Sequence, residues 1–393
     1  MNQALENIKV LDLTRVLAGP YATMILADMG AEVIKIELPN TGDDSRAYGP
    51  YINGESTYFM SLNRNKKSIT MNLKVKESKE VFLKMVEQAD VVVENYRPGT
   101  MERLGLGYET LKEINPRIIY AAASGFGHTG PYSKRAAYDA VVQAMGGIMS
   151  ITGIDHPTRV GPSIGDITAG LFTTIGILSA LHYRNETGKG QKIDVSMLDC
   201  QVAILENAIS RYFATGKSPK PIGNKHASII PFETFETLDG EIMIAAGNDT
   251  LWQKLCQAMD DIELENDARF LTNPLRTKNY HELRPLLARN MKKKTTKAWI
   301  EILNFHGIPN GPINDIEGVV NDPQILSRQM IVDIEHPTVG NMKMAGVPIK
   351  MSETQGSIRF AAPLLGEHTD EILKNMGNLT DSEIENLRVK GGI

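Results

Sequence analysis

Cysteine is nearly absent from the 393-residue chain, where Cys200 and Cys256 stand alone. They form no CxxC pair, which excludes a disulfide framework and a zinc knuckle and points to a reducing compartment. Positive charge is not in surplus either, since 42 Lys+Arg against 47 Asp+Glu leave a net charge of -5. No global field exists to hold a phosphate backbone, so nucleic acid is not an expected partner. No run of 18 apolar residues occurs, and the start, Met1-Asn2-Gln3-Ala4-Leu5-Glu6-Asn7, lacks a charged region followed by an apolar stretch. The expectation is a cytoplasmic protein with no membrane partner. No GxGxxG or GxxxxGK[ST] follows the first apolar run, which withdraws support from a dinucleotide or P-loop site. No metal set is present: His226, in Gly223-Asn224-Lys225-His226, has no second ligand at metal spacing and reads as a surface or hydrogen-bonded histidine.

What is present is enough chain for two domains, or for one with a large excursion, given about 100 to 200 residues per domain. With 42% hydrophobic and 23% charged residues and a mean hydropathy of -0.21, the composition is that of a globular protein. Ile8 to Leu13 is a short apolar run of strand type, Tyr21 to Met29 has helical spacing ended by Gly30, and Ala31 to Glu37 is a second strand. The pattern repeats with a helix over 77–88, a strand at Val91-Val92-Val93, helical spacing over 100–114 and a strand over 118–122. Such alternation predicts a doubly wound α/β domain with a parallel sheet. Residues 168–183 are apolar or small on every side, as in a buried helix too short to span a membrane. A strand follows at Gln191 to Val195, and 197–215 reads as a long connecting helix. Gly216-Lys-Ser-Pro-Lys-Pro has loop composition and marks a boundary. Beyond it lies a second region with an alternating strand at 241–245 and charged helices, in which Lys292-Lys293-Lys294 is most simply a solvated face.

Ligands of open α/β sheets collect beyond the carboxyl ends of the strands, where loops and helix N-termini converge. Those ends carry Thr14-Arg15, Glu37, Glu94 to Gly99 and Ser124 to Gly127. Arg15, Arg97 and Arg103 can pair with phosphates of a nucleotide-like ligand, or with neighbouring acids such as Glu94 and Glu102. Asp166 stands just before the apolar helix. There it fits either a helix N-cap or a carboxylate nucleophile at the mouth of a buried helix.

Five blocks, in order, carry a resemblance over nearly the whole chain: Val10-Leu-Asp-Leu-Thr-Arg-Val-Leu-Ala-Gly-Pro20, Asp28-Met-Gly-Ala-Glu-Val-Ile-Lys-Ile-Glu37, Val93-Glu-Asn-Tyr-Arg-Pro-Gly99, Thr187-Gly-Lys-Gly-Gln191 and Pro363-Leu-Leu-Gly-Glu-His-Thr-Asp370. The sequence resembles the class III coenzyme A transferases. The resemblance implies an interlocked homodimer, each chain having a large Rossmann-like domain (1–215), a small α/β domain (216–335) and a C-terminal segment (336–393) that returns to the large domain. It places the catalytic aspartate at Asp166, with Tyr138 and Asp139 in support. It implies that CoA is held by the backbone of Val16 and Ala18 and by Asn95, Arg97 and Arg103, with Lys66 or Lys67 on the phosphates. The implied chemistry moves CoA from an acyl-CoA to a small mono- or dicarboxylate through an aspartyl anhydride and an aspartyl-CoA thioester. Coenzyme A is then a substrate, and no cofactor is permanently bound.

Departures bear on the substrate. Formyl-CoA transferases carry glutamine where this chain has Leu17 and tryptophan where it has Tyr48, and their tetraglycine loop has no counterpart near Gly223. These differences point away from formyl-CoA and oxalate. The related α-methylacyl-CoA racemases use a histidine at the position of Tyr138, and a phenol is a poor base at neutral pH. A racemase and a catalytically silent CoA-binding protein remain the alternatives.

Overall fold

In the computed structural model, which describes residues 3–393, the alternation of the N-terminal half builds one six-stranded parallel sheet. Its strands are β1 (Lys9–Asp12), β2 (Glu32–Glu37), β3 (Lys66–Thr70), β4 (Val91–Glu94), β5 (Ile119–Ser124) and β6 (Lys192–Ser196), in the spatial order β3-β2-β1-β4-β5-β6. The winding reverses between β1 and β4, and this leaves a crevice beyond the carboxyl ends of those two strands. Five of the six strands are legible in the sequence, β6 as the segment Gln191 to Val195 and the others as apolar runs. β3 is not, because Lys66, Lys67 and Ser68 give it a polar sequence although Lys66 and Ser68 are fully buried.

Alternate residues of each strand face opposite layers. Leu11, Ile34, Val92 and Tyr120 point to one face, where they meet Phe82 and Met85 of α2 (Lys76–Glu87) and Ile372 and Leu387 of the C-terminal segment. Val10, Val33, Val91 and Ile119 point to the other, against Leu26 of α1 (Ala18–Asp28) and Ile177 of a long helix. Each such side chain contributes about 1.5 to 3 kcal/mol on burial. The helical spacing over 100–114 resolves into α3 (Thr100–Leu104) and α4 (Tyr108–Ile114), broken at Gly105, whose φ of 74° ends α3. Next come α5 (Asp139–Met145), α6 (Ile164–Thr187) and α7 (Met197–Ala203). The connecting helix expected over 197–215 is interrupted, so α7 ends at Ala203 and α8 covers Ala208–Thr215.

Helix α6 corrects the shorter helix read over 168–183. At 24 residues and a hydropathy of 1.6 it is long and apolar enough, by length and composition alone, to cross a membrane. Its inner side is packed on α1, β5, β6 and α7, which accounts for the apolar residues there, while Leu171, Phe172, Ile175 and Leu178 on its outer side stay exposed. A Cβ on Gly170 would lie 2.8 Å from the Ala18 carbonyl oxygen, so only glycine lets α6 approach α1 this closely.

The chain divides into two compact units. One comprises residues up to Ile148, Arg159–Ser210 and Pro323–Ile393, the other Met149–Thr158 and Arg211–Asp322. The division falls at 210/211 and 322/323, and the excursion over 149–158 carries no boundary signal in the sequence. The smaller unit has an antiparallel sheet, β7 (Phe232–Glu236), β8 (Glu241–Ala245) and β9 (Asn310–Pro312), over a core containing Trp252, Phe270 and Trp299.

Beneath the crevice of the larger unit lies a buried polar network. Asp12 accepts from the Thr14 amide at 2.9 Å, the Thr23 hydroxyl at 2.7 Å and Lys66 Nζ at 3.0 Å. Lys35, paired in register with Asp12, sends Nζ to the Thr14 carbonyl at 2.9 Å and to Asp43 at 2.7 Å. Glu37 takes Arg46, the Asp43 amide and the Ser68 hydroxyl. The C-terminal segment docks on the same network: Gly366 N donates to Ser68 Oγ at 2.9 Å, and Arg46 donates to the Pro363 carbonyl at 3.1 Å.

Lys66→Ala leaves the carboxylate of Asp12 buried without its closest cation, and denaturant unfolding should register a loss of about 3 to 5 kcal/mol. Lys67→Ala removes only partly exposed pairs with Glu32 and Glu371 and should change stability by about 1 kcal/mol or less. Equal losses from the two substitutions would show that the buried pair has no special weight.

Candidate active site

The crevice is shaped by the loops after β1, β4 and β5. After β1 the chain turns at Val16 with φ of 67°, a backbone conformation that a β-branched residue adopts only under constraint. The constraint is visible: Val16 N donates to Asp43 Oδ1 at 3.0 Å. Burial opposes charge on Asp43, but Lys35 and the amides of Ser45 and Val16 outweigh it and hold the carboxyl far below its usual range. Asn95 joins the loops, because its Oδ1 accepts from Arg15 N and its Nδ2 donates to Arg15 O, both at 2.8 Å. Glu94 accepts from Tyr96 N at 2.7 Å and so orients the residues that follow.

These loops enclose a cavity of about 200 Å³ whose lining includes Arg15, Val16, Ala18, Asn95, Arg97, Tyr138 and Asp166. Arg135 lines it too, with its guanidinium 5.3 Å from the Phe126 ring and 4.6 Å from Tyr132. Sequence reasoning missed Arg135, which stands in a loop without periodicity. A second cavity of about 280 Å³ shares Arg15 and Tyr96 with the first and is walled by Leu38, Met71, Leu73 and Leu104, with Lys74 beside them. Arg103, on α3, is exposed and donates to the Thr100 hydroxyl at 2.9 Å.

Asp166 is not the N-cap of its helix. That position is Ser163, and Asp166 is the third residue of α6. The capping acceptor comes from α5 instead: Gly165 N donates to Asp139 Oδ1 at 2.8 Å. Asp139 Oδ2 accepts from Gln143 Nε2 at 2.8 Å and from the Arg159 guanidinium at 3.3 Å. Gln143 Oε1 in turn takes Val160 N at 2.9 Å, so the loop before α6 is tied to α5 on both sides. A side chain at position 165 would meet Val142 at 2.8 Å and the Asp139 carboxylate at 3.0 Å, which explains glycine there. Neither Gln143 nor Arg159 was singled out from the sequence, since their partners are brought together only by folding.

Among the described residues nothing donates a hydrogen bond to the Asp166 carboxylate. Burial first, then the neighbouring charge of Asp139, push its pKa up to about 7, with Arg159 opposing. The N-terminus of α6 therefore does not keep this residue fully ionised at neutral pH. A macrodipole equivalent to about half a charge does not outweigh desolvation and a like charge. Around Asp166 stand phenols. Tyr138 is the N-cap of α5 and is 76% exposed. Tyr58, pushed up to about 12 by burial and by the charge of Asp166, packs edge-on against Tyr48 with ring centroids 5.6 Å apart.

The two lysines expected at phosphates lie elsewhere. Lys66 is fully buried, and its ammonium is taken by Asp12, Thr23, Asn63 and the Pro20 carbonyl. Burial pulls its pKa down to about 8 against the pull of Asp12. Lys67 bridges Glu32 and Glu371. Neither lines the two cavities of the crevice, because β3 points one lysine into the network and the other to the side of the sheet.

Comparison with known proteins bears on this geometry. The sequence model of CoA-transferase family III matches residues 5–369. The chain is 42% identical to the succinyl-CoA:glutarate CoA-transferase of Homo sapiens over 390 residues, covering 98% of this chain and 89% of that protein. It is 45% identical to the acetyl-CoA:oxalate CoA-transferase of Acetobacter aceti over 350 residues, covering 88% and 89%. Among solved structures, a CAIB/BAIF family protein from Brucella suis superposes with a TM-score of 0.86 at 41% identity, covering 96% of this chain and all of that one.

The raised pKa of Asp166 has a consequence for stability. A carboxyl near 7 in the folded chain and near 4 when unfolded contributes stability that is fully present below pH 4 and is lost as pH rises through 7. Asp166→Asn should therefore raise the thermal midpoint at pH 8, less so at pH 6, and not at pH 4. A gain independent of pH would show that the carboxyl titrates normally.

Proposed function

Because the chain belongs to CoA-transferase family III, an acyl-CoA:carboxylate transferase family, we propose that it transfers coenzyme A between small dicarboxylic acids with Asp166 as the covalent nucleophile. The observation that carries this reading is a partly buried carboxylate with no hydrogen-bond donor, lining a cavity at the sheet's switch point. A structural carboxylate in such a place would be paired, since an unsatisfied buried charge is costly. An unpaired one keeps its lone pairs for a carbonyl carbon.

In the proposed cycle the ionised Asp166 attacks the thioester carbonyl of the donor, expelling the CoA thiolate and leaving a mixed anhydride. The thiolate then attacks the Asp166 carbonyl carbon, releases the donor acid and forms an aspartyl-CoA thioester. The acceptor carboxylate attacks that thioester to give a new anhydride and free thiolate. The thiolate takes the acceptor acyl group and Asp166 is regenerated. Every step exchanges one activated carboxyl for another, so no external energy source is required. Asp139 acts as a positioning residue, holding the start of α6 through Gly165.

Coenzyme A fits along the crevice. The apolar second cavity suits an adenine ring between Leu38, Leu73 and Tyr96, and Arg97, Arg103, Arg135 and Lys74 supply cations for its phosphates. The pantetheine arm then runs past the backbone of Val16 and Ala18, where a carbonyl or amide at a strained turn is presented to it, toward Asp166. The acceptor is taken to be a dicarboxylate because both relatives above are named for one. The departures at Leu17 and Tyr48 no longer argue against oxalate, given the 45% identity to a protein named for that acid.

A homodimer is part of the proposal. Leu171, Phe172, Ile175 and Leu178 form an apolar stripe on the outer side of α6, from 38% to 56% exposed, of a kind that a second copy covers.

Asp166→Asn should reduce turnover by roughly three orders of magnitude or more while the fold persists. Hydroxylamine added during turnover should label a single peptide, the one containing Asp166, and an adduct on another peptide would end the mechanism. Sedimentation at low micromolar concentration should give twice the 43.3 kDa chain mass, and a stable active monomer would remove the dimer from the reading.

A further inference from the structure

A dicarboxylate bound for transfer has one carboxylate at Asp166 and a second that needs its own partner. Arg15 lines the cavity of Asp166 together with Asp44 and Tyr138. Its Nη1 lies 3.3 Å from Asp44 Oδ2, and the two side chains are 41% and 54% exposed. A pair this long and this open is weak. The guanidinium is 5.2 Å from the Tyr96 ring centroid, which restrains its plane without using its N–H groups. A ligand carboxylate that engages two of those N–H groups in parallel makes stronger contacts than Asp44 does.

The side of the cavity on which Arg15 stands can be traced from the nucleophile. Tyr58 feels the charge of Asp166 and packs against Tyr48, and Tyr48 in turn feels Asp44 and Arg15. Tyr138 is a phenol that lines the cavity with both Asp166 and Arg15. The other cations are differently engaged. Arg159 is held by Asp139 and Ser163, and Arg135 lies against Phe126 and Tyr132. Arg97 lines the same cavity as Arg15, on the loop that leads to α3 and next to the Tyr96 ring that restrains Arg15, and Arg15 alone of the two also lines the second cavity.

We infer that Arg15 is the specificity-determining cation of this enzyme, binding the far carboxylate of the acceptor acid in place of Asp44. This moves Arg15 away from the CoA phosphates, where the sequence had placed it. The inference rests on the CoA-transfer reading above and adds to it the residue that selects diacids over monoacids of equal length.

The test pairs acids of equal chain length, succinate with butyrate and glutarate with valerate, as acceptors from one CoA thioester. Transfer by the wild-type protein to any of them tests the reaction, and the ratio of kcat/KM within a pair tests Arg15. The wild type should prefer the diacid. Arg15→Gln should lower that preference on the order of tenfold to a hundredfold, the weight of a charge-assisted contact. Arg15→Lys should restore part of it. Asp44→Asn, which removes the competing carboxylate, should raise kcat/KM for the diacid more than for the monoacid. A wild type without diacid preference would overturn the inference. So would an Arg15→Gln variant whose preference is unchanged while its KM for the acyl-CoA rises, because that places the guanidinium on phosphate.

Discussion

The pairing of Asp12 with Lys66, and of Lys35 with Asp43, is the constraint from which the site follows. All four side chains are sealed beneath the crevice. Burial by itself would neutralise Asp12, yet Lys66, Lys35 and the hydroxyls of Thr14 and Thr23 outweigh it and keep its pKa below the usual value. Such a network adds little net stability over an apolar core, because desolvation offsets most of the attraction. Its effect is geometric. Asp43 can hold Val16 in a left-handed turn only because Lys35 holds Asp43, and Lys35 reaches it only in the register that pairs it with Asp12. A one-residue slip of β2 would turn Lys35 to the opposite face of the sheet.

Asp166 is treated in the opposite way. Where the network surrounds each carboxylate with donors, the fold leaves Asp166 near another carboxylate, Asp139, and on the wall of a cavity that Tyr138 also lines. Donors that might have served it are spent on Asp139, which takes Gly165 N, Gln143 and Arg159. A carboxylate left partly desolvated binds its proton more tightly and is a stronger nucleophile when ionised, and a pKa near 7 balances those two demands at neutral pH. The helix behind it favours the ionised form, and Asp139 opposes it. The reactivity of this residue is thus set by what the neighbouring helix α5 withholds as much as by what α6 provides.

The two halves of the crevice divide the work by charge and polarity. One cavity is apolar, walled by Leu38, Met71, Leu73 and Leu104, the other holds Asp166 with Arg97 and Arg135, and Arg15 lines both. Arg15 is only loosely paired, with the exposed Asp44. In the proposed cycle a thioester arm and a short acid must both reach Asp166, as successive acyl exchanges on one carboxylate require.

The sequence by itself determined the layered α/β architecture, five of the six strands of the parallel sheet, the crevice at their carboxyl ends and Asp166 as the candidate nucleophile. These are written in local periodicity and in contiguous blocks such as Thr14 to Pro20 and Glu94 to Gly99. What only the tertiary structure decided is which charges face the ligand. Lys66 and Lys67 stand in a block that looks cationic and free, but β3 is the edge strand beside β2 and the C-terminal segment closes over it, so their ammonium groups are consumed by Asp12, Glu32 and Glu371. Asp166 looks like a cap until the fold brings Asp139 to Gly165 from 26 residues away. Arg135 and Arg159 lie in loops with no pattern, and their partners are distant or adjacent only in space. Periodicity reports which residues are buried by their own element. The fate of a buried charge depends on a partner supplied by another element, and no local pattern encodes that pairing.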